Sequence, residues 1–384
     1  MPMTMPLIFS FAFRSLFMLV VLQALIHIAL WFAIWNGLFT VSTAVNPIYW
    51  HGHEMAIGFA GAAIAGFLLT AVATWTGRPQ VQGWPLVILC LSWLLARSGL
   101  VVPLLAAGAG IFYWFFLLAL MTRELVSSSN SRNYKVLAIL LVFLVLESLY
   151  HFTLHTQSPI LQRVLWSQIF LVVVMVNLIG GRVIPAFTRN WLLKQQSGLT
   201  DSQLPAPFGH VDSAATLALV VFFLATLVSA NDGLVLILAI VTSFLQAWRL
   251  FRWKGFSCLS DPLVWMMHLS YGWIPVGILV LGLGQAGYLS MSAGIHALTI
   301  GTVASMIISI ASRAALGHTG RPLKAHPLLT AAIILIALSA LSRVGASILA
   351  SEFLLTSASA LWIAGFLCFA LRYVPVLLSP AKEP

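Results

Sequence analysis

Charged residues are scarce in this chain. Asp, Glu, Lys and Arg make up 7% of its 384 residues, whereas 61% are hydrophobic and the mean hydropathy is +1.01. Such a chain cannot cover itself with polar side chains, so its composition excludes a water-soluble globular protein and predicts the lipid bilayer as its surroundings. The net charge of +10 comes from basic residues that stand singly or in threes between apolar runs. They form no patch for phosphate binding, and we expect no nucleic-acid partner.

Cysteine is also rare. Cys90, Cys258 and Cys368 lie far apart, and the chain contains no Cys-x-x-Cys pair. The spacing excludes a disulfide framework, a zinc knuckle and covalently attached c-type haem. The apolar run within the first thirty residues is long and lacks a small-x-small cleavage site, so we interpret it as an uncleaved first span.

Long apolar runs predict an all-α polytopic membrane protein, since about 20 residues are needed to cross a bilayer. We expect a single integral membrane domain over residues 1–384 with about twelve helices. These are predicted near residues 15–37, 51–73, 84–102, 104–122, 134–152, 161–181, 212–229, 232–250, 262–284, 289–312, 327–348 and 353–376. The arrangement suggests three four-helix units, over residues 15–122, 134–250 and 262–376.

The basic residues predict the orientation of these helices. With both termini in the cytoplasm, sixteen of the Lys and Arg residues, Arg249 among them, fall on the cytoplasmic side. Only Arg97, Arg163 and Arg343 fall on the other side. This bias agrees with the positive-inside rule for multi-pass proteins.

One motif occurs twice in the chain. Residues 50–58 read WHGHEMAIG and lead to Thr-Gly-Arg-Pro at 76–79; residues 296–301 read HALTIG and lead to Thr-Gly-Arg-Pro at 319–322. The offset is 243 without a gap, and nine of twenty-seven aligned positions are identical. This spacing indicates an internal repeat in which His53 corresponds to His296.

The paired histidines are candidate ligands. Two neutral imidazoles on facing helices can hold a haem iron without covalent attachment, so His53 and His296 are predicted as axial haem ligands. The alternative is that each imidazole hydrogen-bonds an interfacial carbonyl. His51 lies two residues from His53 and therefore points roughly 200° away on a helix, where it would support the ligands or bind a separate metal.

A second candidate site lies on the fifth predicted helix. Glu147, His151 and His155 are spaced i, i+4, i+8 and share one face. The two histidines have a workable spacing for copper or zinc, and the carboxylate could pass protons. His155 could equally be a solvated loop residue. Glu54 and Glu147 lie inside predicted spans, whereas Asp212 and Asp232 stand only at the first residue of theirs.

Other polar residues allow several interpretations. His268 is a candidate cofactor ligand, a proton relay or a partner in a helix–helix hydrogen bond. The predicted cytoplasmic arginines include Arg182, Arg313 and Arg321, and arginines here could clamp haem propionates. Anchoring of the topology is the favoured role, because the candidate haem ligands lie near the opposite face.

The motifs described above, together with residues 180–190 (GGRVIPAFTRN) and His268 with Tyr271, resemble the NnrS family over nearly the whole chain. The resemblance implies a bacterial inner-membrane protein associated with haem and copper. It also implies a link to the nitric oxide response in denitrification or nitrosative stress. Whether a substrate is turned over is left open by the resemblance.

The helix pattern is also similar to the catalytic subunit of haem-copper oxidases, which places histidines on helices 2 and 10. This chain has no histidine in predicted helices 6 and 7, so the copper cluster and cross-linked tyrosine of those oxidases have no counterpart. Fold analogy alone does not imply oxygen reduction.

We therefore expect a haem-binding membrane protein, with copper as a further candidate cofactor, nitric oxide as a gas ligand and a separate electron donor. If it is an enzyme, haem-dependent redox chemistry on nitric oxide or a derived species is expected. The alternative is a multi-pass transporter or a metal- or haem-handling protein, since repeats and intramembrane histidines also mark transport pathways.

Overall fold

The computed structural model describes residues 5–39 and 46–382, and every regular element within them is helical. We number twelve α-helices in these ranges and omit the short 3-10 turns. They are α1 (Ala12–Trp35), α2 (Pro47–Thr76), α3 (Trp84–Ala96), α4 (Pro103–Ser127), α5 (Tyr134–His155), α6 (Leu161–Gln195), α7 (His210–Leu227), α8 (Asp232–Phe251), α9 (Pro262–Gln285), α10 (Met291–His318), α11 (Pro327–Leu349) and α12 (Glu352–Leu378).

Eleven of these helices are long and apolar enough to cross a membrane. The predicted polytopic all-α chain with about twelve helices is therefore confirmed. The exception is α3, which has 13 residues and ends at Ala96, six residues before its predicted end. At a rise of 1.5 Å per residue it is about 20 Å long, shorter than the ~30 Å hydrocarbon core. Arg97 closes this helix, and its side chain pairs with a carboxylate on α2.

The internal repeat extends to the backbone. Gly77 ends α2 and Gly320 follows α10 at the equivalent position, with left-handed φ values of +67° and +63°. Glycine is favoured at this position because a Cβ would be strained there. The start of α2 is set by Asn46, whose side chain accepts a hydrogen bond from the Ile48 N–H, and by Pro47 in the first turn.

Both repeat helices contain a π-helical segment directly after the candidate histidine. The segments run from Glu54 to Phe59 in α2 and from Ala297 to Ala304 in α10. Such segments are rare and occur frequently at functional sites. In α2 the segment also offers a backbone acceptor, because the indole N–H of Trp93 donates to the Gly58 carbonyl over 2.9 Å.

The chain divides into two compact units. One comprises Met1–Ile169, Ala314–Arg321 and Tyr373–Pro384, and within it α2 packs on α1 and α4, and α4 packs on α3 and α5. The other comprises Phe170–Arg313 and Pro322–Arg372, and within it α9 packs between α8 and α10, and α10 packs on α11. The grouping into three four-helix units, the single domain and the orientation of the termini stay predictions.

A buried polar network connects four helices of the second unit. The Arg249 guanidinium donates to the Asp212 carboxylate (2.8 Å), to the Asn177 amide oxygen (2.8 Å) and to the Tyr271 hydroxyl (2.8 Å). Tyr271 in turn donates to Gln246 over 2.7 Å. Arg249 and Asp212 are 1% and 2% exposed, so this ion pair is inside the protein and not at a surface.

Replacing Arg249 with Ala should remove the closest cation from the buried Asp212 carboxylate, leaving Arg252 at 3.5 Å as its remaining ion partner. Breaking a buried ion pair on one side costs about 3–5 kcal/mol, so the thermal unfolding midpoint in detergent should fall sharply. The double variant Asp212→Leu with Arg249→Met removes both charges and should be less destabilised than Arg249→Ala. Equal midpoints for Arg249→Ala and the exposed control Arg182→Ala would contradict the structural role of this pair.

Candidate metal centre

Three side chains from α2 and α5 converge inside the first unit. The Glu147 carboxylate lies 2.9 Å from His53 Nε2 through Oε2 and 3.2 Å from His151 Nε2 through Oε1. One ligand atom from each residue lies within 4.8 Å of the other two. Within the described residues this is the group of His and acidic side chains that has metal-site spacing. Glu147 and His53 are buried, and His151 is partly exposed.

Neighbouring residues hold the His53 ring in place. The ring stacks on Tyr150 of α5 with centroids 4.1 Å apart and planes inclined by 10°. The Tyr150 hydroxyl donates to the carbonyl of Tyr49, in the first turn of α2, over 3.0 Å. The aromatic stack and this hydrogen bond therefore fasten α5 to the helix that carries His53.

Two further residues position the Glu147 carboxylate. Gln168 Nε2 contacts Oε2 at 3.3 Å, and Gly110 of α4 leaves the space that Oε1 occupies, because a Cβ there would overlap this oxygen. Gln168 Oε1 is itself buried, with no hydrogen-bond partner among the described residues. An unsatisfied buried acceptor of this kind is costly and is a feature of sites that receive a further donor or cation.

A second buried carboxylate lies beside the cluster. Glu54 Oε2 is 2.7 Å from the Arg97 guanidinium and 2.9 Å from Gln23 Nε2, while Glu54 Oε1 is 3.8 Å from His53 Nδ1. Glu54 and Glu147 bring two negative charges, and Arg97 supplies one positive charge. The group therefore needs one more positive charge, which a protonated imidazole or a metal ion can provide.

His51 and His53 point to different neighbours. His51 stacks on Trp31 with ring centroids 4.3 Å apart, and its Nδ1 lies 3.1 Å from Nε2 of His27. His27 is 3% exposed. The two histidines of α2 thus contact separate groups, which follows from α2 starting at Pro47 and being helical through both of them.

His155 and His296 do not belong to the cluster as the structure describes it. His155 occupies the last turn of α5 and is exposed. His296 lies in the second unit, where its Nδ1 is 2.8 Å from the Ser292 carbonyl. A carbonyl only accepts hydrogen bonds, so Nδ1 carries the proton and Nε2 of the neutral ring keeps the lone pair that a metal ligand needs.

His268 lies in the second unit. Its Nε2 is 2.8 Å from the Thr188 hydroxyl, which itself donates to the Ile184 carbonyl over 2.9 Å. The imidazole must therefore donate through Nε2, leaving a lone pair on Nδ1. That nitrogen is buried and has no hydrogen-bond partner in the described part of the chain. Gly255 lies against it, and a Cβ on Gly255 would stand 2.6 Å from Nδ1.

The candidate arginines are dispersed. Arg182 is exposed, Arg313 lies 3.9 Å over the centre of the Phe187 ring, and Arg321 donates to the Ser379 hydroxyl over 2.7 Å. These contacts tie local segments together. Arg182, Arg313 and Arg321 form no direct ion pair with the described side chains, although the Asp261 carboxylate acts electrostatically on Arg313.

Sequence reasoning missed four residues that shape the cluster: Gln23, Arg97, Gly110 and Gln168. The sequence contained one indication of this site, at Arg97. Arg97 is among the three basic residues that contradict the predicted orientation, and an arginine that is out of place for topology is a candidate for pairing inside the protein.

The fold and the cluster together define a polytopic helical membrane protein with a buried histidine–carboxylate centre. A comparison with protein families then identifies it further: the chain belongs to the NnrS family, whose model, described as NnrS protein, matches residues 7–381. Membership supports a membrane protein related to the nitric oxide response. A comparison with curated proteins found no match.

Replacing Gly110 with Ala should displace the Glu147 carboxylate, since the new methyl group would overlap Oε1. Overpacking of this kind costs about 1–3 kcal/mol and should lower the thermal midpoint. Gly108→Ala is the matched control: it lies on the same helix, nothing lies within 4 Å of its added Cβ, and the change should be neutral or slightly stabilising. Equal midpoints for the two variants would show that Gly110 does not shape the site.

Proposed function

We propose that this protein binds a redox-active metal ion at His53, Glu147 and His151, and haem through His296, and that it serves the nitric oxide response through these centres. The observation that carries the proposal is the largely buried cluster of three ligand atoms within 4.8 Å of one another. Family membership supports the nitric oxide connection.

The donor set fits a transition metal. Imidazole suits copper, iron and zinc, and two imidazoles with one carboxylate leave positions open for an exogenous ligand. Copper or iron would supply one-electron redox chemistry, which zinc cannot. We favour copper because of its association with the family.

The surrounding residues have roles that follow from their contacts. Gln168 orients the Glu147 carboxylate, and Arg97 neutralises Glu54 so that a cation at the cluster has one carboxylate to neutralise, not two. Partners of this kind outside the ligand set are important for metal affinity. His151 is the partly exposed member, so a small gas molecule would approach from its side.

His296 fits a haem ligand through its tautomer. The Ser292 carbonyl holds the proton on Nδ1, which leaves Nε2 for iron. The predicted second axial ligand is His53. Its Nε2 faces Glu147 at 2.9 Å and belongs to the proposed metal site, so a haem iron bound through that atom would compete with the metal ion. The pairing of His53 with His296 therefore stays a prediction for experiment.

If the metal site is correct, variants of its three ligands should lose bound copper. His53→Ala, Glu147→Gln and His151→Ala should each abolish stoichiometric copper in the purified protein, measured by inductively coupled plasma mass spectrometry with electron paramagnetic resonance. Gln168→Leu should weaken copper affinity by about 10–100-fold. His155→Ala is the control and should retain the metal, since that residue is exposed at the end of α5.

Unchanged copper content in all three ligand variants would disprove this site. Copper uptake by proteoliposomes without stoichiometric retention would favour the alternative, a metal transporter.

The haem assignment predicts that wild-type protein from haem-replete cells shows a Soret band and that His296→Ala loses or shifts it. His53→Ala should disturb the same band only if both histidines bind one iron. His210→Ala, an exposed position, is the control. A spectrum unaffected by His296→Ala would place the haem ligand elsewhere.

A further inference from the structure

Arg343 is a cation without an acidic partner among the described residues. Its guanidinium donates to the Ser292 hydroxyl over 3.0 Å and to the Ser347 hydroxyl, and it forms no ion pair. Arg343 is partly buried, and α11 is long and apolar enough to cross a membrane. An uncompensated charge in such a helix is expensive and marks a functional site.

Two other arginines, Arg97 and Arg14, are compensated in different ways. Arg97 pairs with Glu54. Arg14 lacks an ion pair in the described chain, but its guanidinium donates to the carbonyls of Leu377 and Ser379 at the end of α12, where the helix dipole is negative. Arg343 differs from both, because its two partners are neutral hydroxyl groups.

The internal repeat explains where the missing negative charge would be. In α2, His53 is followed by Glu54, which neutralises Arg97 on the next helix. In α10, His296 is followed by Ala297, so this position offers no carboxylate. At the offset of 243 the equivalent of Arg97 is Ala340, and Arg343 follows three residues later. The second repeat therefore has an arginine about one turn from that position and no carboxylate after its histidine.

We infer that Arg343, Ser292 and Ser347 bind a carboxylate-type anion, one with two oxygens on a single atom, beside His296. A guanidinium fork matches such an anion in geometry, and the Ser292 hydroxyl, which accepts from Arg343 and Ser347, can donate to the anion. Ser292 Oγ lies 3.2 Å from His296 Nδ1, which places this site next to the proposed haem ligand. The anion is either a propionate of bound haem, which rests on the proposed function, or a free anion such as nitrite or formate.

The first experiment compares two porphyrins. Purified wild type and Arg343→Gln are titrated with ferric protoporphyrin IX and with its dimethyl ester, which lacks the carboxylates. If a propionate occupies the site, Arg343→Gln should bind the free acid about tenfold more weakly and bind the ester as wild type does. Because both porphyrins are compared in one variant, general misfolding would weaken both. Arg163→Gln, at an exposed arginine, is the control.

The second experiment needs no haem. The thermal midpoint of haem-free protein is followed with sodium nitrite or sodium formate at constant ionic strength. A free anion that binds the native state should raise the wild-type midpoint with concentration. The rise should disappear in Arg343→Gln, persist in part in Arg343→Lys, and shrink in the double variant Ser292→Ala with Ser347→Ala.

The two experiments separate the outcomes. Selective loss of the free-acid porphyrin supports a propionate, and an Arg343-dependent midpoint shift supports a free anion. If neither depends on Arg343, the anion site is disproved. If no haem binds at all, the proposed haem function fails while the midpoint series still decides whether the anion site exists.

Discussion

The structure depends on how an apolar chain compensates the few charges that it buries. Glu147 and Glu54 lie almost fully inside the first unit, where an unpaired carboxylate would cost several kcal/mol. Glu54 of α2 contacts Gln23 of α1 and Arg97 at the end of α3, and Glu147 of α5 contacts His53 of α2, so the same contacts also position these helices around α2. Packing of small and apolar residues alone would leave the register of the helices less specified. The charge balance of the cluster still requires one positive charge, from a protonated imidazole or from the metal ion that we propose.

The internal repeat shows how one design can yield two different sites. Each repeat helix carries a histidine, a π-helical segment directly after it and a left-handed glycine near its end. The two copies differ at the residue after the histidine, which is Glu54 in one and Ala297 in the other. The first copy therefore has a carboxylate between its histidine and Arg97, whereas the second has no carboxylate at that position. We propose that the first site binds a cation and the second an anion.

Much of the fold follows from hydropathy, because a segment that crosses lipid must satisfy its own backbone and so must be a helix. The end of α3 was overestimated because hydropathy ignores the pairing of Arg97. Sequence periodicity predicts the site only in part. It places Glu147, His151 and His155 on one helix face, but it does not predict how deeply each side chain is buried, and His155 is exposed. The contact of His53 with Glu147 joins residues 94 apart, which no local pattern contains. The π-helical segments leave no composition signal either.

The arginines show why topology and chemistry must be separated. The positive-inside rule treats every basic residue as a surface signal, yet Arg249 is 1% exposed and bound in a polar network, so its agreement with the predicted orientation carries little weight. The three arginines that do not fit the predicted orientation lie in different surroundings. Arg163 is exposed, whereas Arg97 and Arg343 lie beside the histidines of the two repeats. An arginine that is paired inside the protein gives no information about how its helix is oriented in the membrane. The described partners of Arg343 are two neutral hydroxyl groups, and its proposed counter-ion is the bound anion.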